Sequence, residues 1–297
     1  MSDFAKMRTQ MEQGAGFIAA LDQSGGSTPK ALSLYGVEPG DYDGDDAMFA
    51  EMQKMRARII QSPDFTGDKV IGAILFERTI HELIEGAPVA AHLWNTRGVV
   101  PFLKIDKGLE EEAQGVQLLK PMPGLAARLS EARDMGIFGT KERSVIQSAD
   151  ADGIKAIADN QMAVAHEVLA AGLVPIIEPE VNIHSATKAA CEDLLADALL
   201  AHIDALSADQ DVILKLTLPD VPGRYDALAD HPRVLRVVAL SGGYSTDEAS
   251  AKLAQNHKMI ASFSRALTEG LRREMDDDRF VAALGKNIKQ IYDASVA

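Results

Sequence analysis

Asp211-Val-Ile-Leu-Lys-Leu-Thr-Leu-Pro219 is an apolar, β-branched run closed by a proline, and it reads as a buried strand. Lys215 lies inside it. A lysine on such a strand faces an interior, where desolvation favours the neutral amine. A neutral amine is a nucleophile, and with a carbonyl substrate it forms a Schiff base. The plainer alternative is a lysine that snorkels from a strand end or pairs with a carboxylate.

Working outward, the same kind of run recurs along the chain. Gly16–Leu21, Val70–Phe76, Val99–Ile105, Leu173–Glu178, Val234–Leu240 and Met259–Phe263 all read as short buried strands, and Ser144–Gln147 as a weaker one. Between them lie amphipathic stretches at about 46–61, 123–134, 153–171, 187–206 and 246–256, and a final helix spans about Asp278 to Tyr292. Asp152 and Thr246 are candidate N-caps. Eight short strands alternating with helices are the signature of an α/β fold, a closed (β/α)8 TIM barrel. A doubly wound open sheet shows the same alternation and stays open at this point. No linker, low-complexity tract or short-period repeat interrupts residues 1–297, so they read as one (β/α)8 domain with a C-terminal helix.

Composition bounds the function. The chain is 46% hydrophobic and 25% charged, ordinary globular values. Its net charge of −14 argues against nucleic acid and anionic membranes as partners. Neither a signal core in Met1–Arg8 nor a bilayer-length apolar stretch is present, and Cys191 is the one cysteine, so a reducing, cytoplasmic setting is expected. An anionic small substrate remains compatible, provided that its site is locally basic. The stoichiometry is not readable, and a homo-oligomer is compatible with the sequence.

In a barrel of this kind chemistry sits at the C-terminal ends of the strands. This chain places there Asp22, Lys104, Glu178, Lys215, the Ser241-Gly242-Gly243 loop and Arg265, with Lys141 and Arg143 around the fourth strand. Carboxylates supply proton transfer, clustered lysines depress one another's pKa, and Ser-Gly-Gly offers backbone N–H groups to a phosphate. Each has a plainer alternative. Asp22 can be a turn residue, Glu178 and Glu180 can decorate a loop around Pro179, and Lys104 and Arg265 can be solvated strand-end charges. Their coincidence on one face carries more weight than any one of them. The seven histidines are scattered, and His81-Glu-Leu-Ile-Glu85 lacks the second histidine of a zincin helix. No P-loop or dinucleotide fingerprint is present. Neither a metal nor a cofactor is expected.

These strings resemble the class I (Schiff-base) fructose-1,6-bisphosphate aldolases in their shorter bacterial form, over about residues 14 to 270. The anchors are Ala20-Leu-Asp-Gln-Ser-Gly-Gly-Ser27, Leu103-Lys-Ile-Asp-Lys-Gly108, Lys141-Glu-Arg143, Val174-Pro-Ile-Ile-Glu-Pro-Glu180, Ile213-Leu-Lys-Leu216, Leu240-Ser-Gly-Gly-Tyr-Ser245 and Phe263-Ser-Arg-Ala-Leu267. The resemblance implies a lyase of glycolysis and gluconeogenesis that cleaves fructose 1,6-bisphosphate to dihydroxyacetone phosphate and glyceraldehyde 3-phosphate. It implies Lys215 as the iminium-forming lysine, Glu178 as the acid/base of carbinolamine chemistry and Asp22 as the carboxylate at the C4 hydroxyl. Lys141 is implied beside that chemistry, with Glu180 ordering the basic cluster. Ser241, Gly242 and Arg265 match the C1-phosphate site, and Ser27, Lys104 and Arg143 the distal phosphate side.

The chain also departs from the pattern. Gln23 stands where the family has an acid, Glu142 where it has an aromatic residue, Ser264 where it has a glycine, and Ala31 where the larger family has an arginine. Tyr292, near the C-terminus, reads as helix packing. Related readings are a Schiff-base aldolase for tagatose or sedoheptulose bisphosphate, a metal-dependent aldolase, and a non-catalytic barrel scaffold.

Overall fold

The computed structural model describes residues 1–297. Its main sheet has eight parallel strands: β1 (Phe17–Leu21), β2 (Val70–Leu75), β3 (Val100–Lys104), β4 (Gly139–Ile146), β5 (Val174–Val181), β6 (Val212–Thr217), β7 (Val234–Leu240) and β8 (Met259–Ala261). Each strand pairs in parallel with the next in chain order. A doubly wound sheet reverses its strand order at a switch point. This one never does, and β1 and β8 come side by side without a hydrogen-bonded ladder. The result is a nearly closed barrel, and the open-sheet alternative falls.

Helices α1 (Asp3–Gln13), α2 (Ser27–Leu34), α3 (Gly44–Gln61), α4 (Leu125–Asp134), α5 (Ala151–Ala170), α6 (Lys188–Ile203), α7 (Thr246–Leu253) and α8 (Asp277–Ser295) surround the strands, with shorter helical turns between some of them. The strands' outward residues and the helices' apolar faces form one large core, which includes Ile59, Val168, Leu199, Leu214, Leu253 and Leu284. Fully buried parallel strands carry apolar side chains on both faces, which is why they read as continuous runs.

A second cluster fills the barrel interior with Ile18, Val100, Phe102, Val174, Ile176, Ile213, Val238 and Ile260. Met7 and Met11 of α1 belong to this cluster, so the N-terminal helix plugs the bottom of the barrel. Arg236 fastens the plug by donating to the carbonyls of Met11 (2.9 Å), Glu12 (2.7 Å) and Gly14 (3.1 Å) at the C-terminal end of α1. These are carbonyls that a helix leaves without internal partners.

Three local expectations are corrected. The fourth strand begins at Gly139, five residues before the expected start, so Lys141 and Arg143 lie within it. Glycine is required there, because a Cβ on Gly139 would lie 2.0 Å from the Val174 carbonyl oxygen. The N-caps are Asp150, which accepts from Gly153 N, and Ser245, which forms a reciprocal capping box with Glu248; Asp152 and Thr246 fall inside their helices.

Candidate active site

Side chains alternate along a strand, so one parity faces the barrel axis. On five of the strands that parity runs from apolar residues at the bottom to polar ones at the mouth. Ile18 leads through Ala20 to Asp22, Phe102 to Lys104, Ile176 to Glu178 and Glu180, Ile213 to Lys215, and Ile260 through Ser262 to Ser264. The polar ends line a single cavity of about 820 Å³. Every candidate catalytic and substrate-binding residue lines it: Asp22, Ser27, Lys104, Lys141, Arg143, Glu178, Glu180, Lys215, Ser241, Gly242 and Arg265.

At its floor four buried charges alternate in sign. Lys141 Nζ lies 2.7 Å from Asp22 Oδ2 and 2.9 Å from Glu178 Oε2, and Lys215 Nζ lies 3.0 Å from Glu178 Oε1. The side chains of Lys141, Glu178 and Lys215 are each 5% exposed or less. Isolated charges are too costly to bury, and alternation is what makes this chain tolerable. Burial alone would raise the Asp22 and Glu178 carboxyls, but the charges of Lys141 and then Lys215 outweigh it and hold both below their ordinary values. Burial alone would lower Lys141, but Asp22 and Glu178 raise it, so its charge is kept. The expectation of lysines depressing one another is thereby corrected for Lys141, because Glu178 stands between it and Lys215.

The rim is arranged differently on its two sides. Lys104 Nζ lies 2.9 Å from Asp106 and donates to Ser24 Oγ (3.0 Å). Asp106 accepts from the Arg143 backbone N–H (3.3 Å), and Arg143 Nε pairs with Glu180 at 2.5 Å. Across the cavity Arg265 has no carboxylate within 4 Å. Beside it Gly242 and Gly243 take φ of +58° and +130°, conformations that favour glycine, and their N–H groups have no acceptor in the chain. Ile183 packs beneath, 2.8 Å from where a Gly242 Cβ would stand. The turn is therefore a cradle of free donors next to an unpaired guanidinium, the arrangement that suits a phosphate.

Several cavity residues were not foreseen. Asp106 and Ser24 order Lys104, Lys107 pairs with Glu77, Lys30 is an unpaired cation, and Ser262 carries a buried hydroxyl with no partner. Asp106 had a usable signal, standing two residues beyond a strand-end lysine. Arg56 had none. It is 1% exposed beneath the β1 loop, yet on α3 it reads as an ordinary helix-surface arginine. Glu142 faces away from the cavity, fully buried toward α5, where Gln161 Nε2 donates to its backbone carbonyl (3.3 Å).

The chain resembles known proteins over most of its length. Residues 4–221 match the family model described as fructose-bisphosphate aldolase class-I. The chain belongs to that family. As an aldolase it is a lyase, and its relatives align nearly end to end. A fructose-bisphosphate aldolase class 1 of Synechocystis sp. is 54% identical over 287 residues, 97% of this chain and 96% of that protein. A fructose-bisphosphate aldolase class 1 of Porphyromonas gingivalis is 51% identical over 287 residues, 97% of each. A solved structure of fructose-bisphosphate aldolase from Plasmodium falciparum superposes with a TM-score of 0.77 at 21% identity, covering 99% of this chain and 94% of that one, which speaks for the barrel fold. In this aldolase no three His, Cys, Asp or Glu side chains gather as a metal site, and no helix is long and apolar enough to cross a membrane.

Proposed function

We propose that this aldolase cleaves fructose 1,6-bisphosphate reversibly through a Schiff base on Lys215, without metal or cofactor. The observation that carries the reading is the Lys215 amine, buried at the mouth of β6 and 3.0 Å from the Glu178 carboxylate. When the substrate ketone enters, Glu178 takes a proton from the Lys215 ammonium and frees the amine to attack C2. Glu178 returns that proton to the departing carbinolamine hydroxyl, which leaves as water. The resulting iminium is an electron sink. Asp22 accepts the C4 hydroxyl proton, the C3–C4 bond breaks, and its electron pair becomes the enamine as glyceraldehyde 3-phosphate departs. Protonation at C3 and hydrolysis of the imine release dihydroxyacetone phosphate and restore Lys215. Lys141, between Asp22 and Glu178, steadies both carboxylates through these transfers.

In this reading Ser241, Gly242 and Arg265 hold the C1 phosphate, and Ser27, Lys104 and Arg143 the distal one, with Glu180 orienting Arg143. Two held ends fix the chain between them, so remote binding energy orients the reacting bond. The reading also includes a cytoplasmic enzyme of glycolysis and gluconeogenesis, acting as one domain over residues 1–297 and open to homo-oligomer formation. Borohydride reduction in the presence of dihydroxyacetone phosphate tests it. One adduct on Lys215, found by peptide mass, with matching loss of activity, is expected. An adduct on another lysine, or none, overturns the mechanism.

A further inference from the structure

We propose that Ser264 is an additional donor to the phosphate of the three-carbon ketone half of the substrate, and that Gln23 aims it. The proposal rests on the assignment of Arg265 and the Ser241–Gly242 turn to that phosphate. Ser264 lies on the inward-facing parity beyond the end of β8, lines the cavity and directly precedes Arg265. Its Oγ makes one hydrogen bond, with Gln23 Nε2 at 2.8 Å. Although it precedes the short helix Arg265–Thr268, it makes no capping bond to that helix.

The direction of the Gln23 bond is fixed from behind. Arg56 Nη2 donates to the Gln23 backbone carbonyl at 2.5 Å and faces its Oε1 at 3.5 Å, while Nη1 donates to Thr79 Oγ1 at 2.9 Å. Arg56 has no carboxylate within 4 Å, so these neutral acceptors are its partners. A guanidinium can only donate, so the amide must turn its oxygen toward Arg56 and its NH2 toward Ser264. Ser264 Oγ is therefore an acceptor in this bond and keeps its own proton. That proton has no taker in the chain, and the open side is the cavity beside Arg265, where a phosphate oxygen would accept it. The brace also joins the β1 and β8 loops across the one seam of the barrel that lacks a ladder.

The test is steady-state kinetics in the synthesis direction, with KM measured separately for dihydroxyacetone phosphate and glyceraldehyde 3-phosphate. Ser264→Ala removes one oxygen and no packing. It is expected to raise KM for dihydroxyacetone phosphate about tenfold, as for a lost hydrogen bond to a charged group, with kcat and the glyceraldehyde 3-phosphate KM nearly unchanged. Gln23→Met should raise the same KM by about threefold and add nothing in the Ser264→Ala background, because the two changes remove one interaction. A dihydroxyacetone phosphate KM that Ser264→Ala leaves unchanged, or a rise shared equally by both substrates, overturns the donor role. A Gln23→Met effect that persists in full without the serine hydroxyl overturns the aiming. Arg265→Ala, run in parallel, separates the two levels. If it raises the KM and Ser264→Ala does not, this inference fails alone. If neither does, the phosphate assignment fails and takes the inference with it.

Discussion

Glu178 touches both lysines of the site, and Asp22 touches only Lys141. That asymmetry separates their proposed roles. Glu178→Gln leaves Lys215 without its proton acceptor and the carbinolamine without its acid, so it should slow formation of the reducible adduct by ~10²–10⁴-fold. Asp22→Asn leaves the Lys215–Glu178 pair intact and removes the base for the C4 hydroxyl. It should form the adduct with fructose bisphosphate, stall before cleavage, and accumulate a complex that borohydride traps on Lys215. Rapid-quench mass spectrometry distinguishes these outcomes, and the opposite pattern would reverse the two assignments. Glu142, one residue from Lys141, makes a prediction of another kind. Burial, and then the charge of Asp106, raise its carboxyl well above the ordinary value. The native chain therefore binds this proton more tightly than the unfolded chain does. This contribution to stability is complete below the ordinary carboxylate pKa and is lost as pH climbs toward the folded value. Glu142→Gln keeps the shape and removes the titration. In urea melts it should match the parent near pH 4 and be the more stable of the two at pH 8. An advantage that is the same at both pH values would mean that Glu142 is ionised in the fold.

The elements that hydrophobicity could announce were legible, and those carrying charge were not. Seven of the strands are apolar runs because both their faces are buried, and they lie close to where the sequence puts them. The first half of β4, Gly139-Thr-Lys-Glu-Arg143, is polar because Lys141 and Arg143 face the cavity while Glu142 is buried on the other side. A site strand thus hides its own strand signal, although its lysine and arginine were visible as candidates. The rim ion pairs and the Arg56 brace stayed invisible because they join residues far apart in sequence through geometry alone. The same holds for α1, whose core contribution from the helix itself is two methionines spaced i, i+4, and whose partner is the barrel's distant bottom. Met11 is fully buried there, among side chains from the barrel strands. Met11→Ala should cost about 2–5 kcal/mol of stability, as for a cavity opened in a core. Because the plug is at the end of the barrel opposite the mouth, kcat of the folded enzyme should stay within about twofold, less than about 0.5 kcal/mol in the barrier. Denaturant melts paired with kinetics check this. A kcat loss parallel to the stability loss would mean that the plug shapes the mouth as well.

At the scale of the whole molecule, an anionic substrate must approach a chain of net charge −14 and end in a cavity lined by seven lysines and arginines against five carboxylates. The two fields act over different ranges. The overall repulsion is long-range, and salt controls it: the Debye length is about 30 Å at 0.01 M ionic strength and about 8 Å at 0.15 M. The attraction at the cradle is a contact interaction inside a partly enclosed cavity, where screening is weaker and the main effect of salt is competition by its anions. Adding salt from very low ionic strength should therefore remove repulsion before it weakens binding. For fructose bisphosphate, kcat/KM is expected to rise between about 0.01 and 0.1 M potassium chloride and to fall again towards 1 M as anions compete at the phosphate sites. Sulfate should bring the fall on at lower concentration than chloride, because it matches a phosphate's shape and charge. Arg265→Ala, with the unpaired guanidinium gone, should blunt the falling limb and leave the rising limb in place, since the rising limb belongs to the surface as a whole. A kcat/KM that declines steadily from the lowest salt would mean that the basic mouth steers the substrate from a distance in spite of the acidic surface around it.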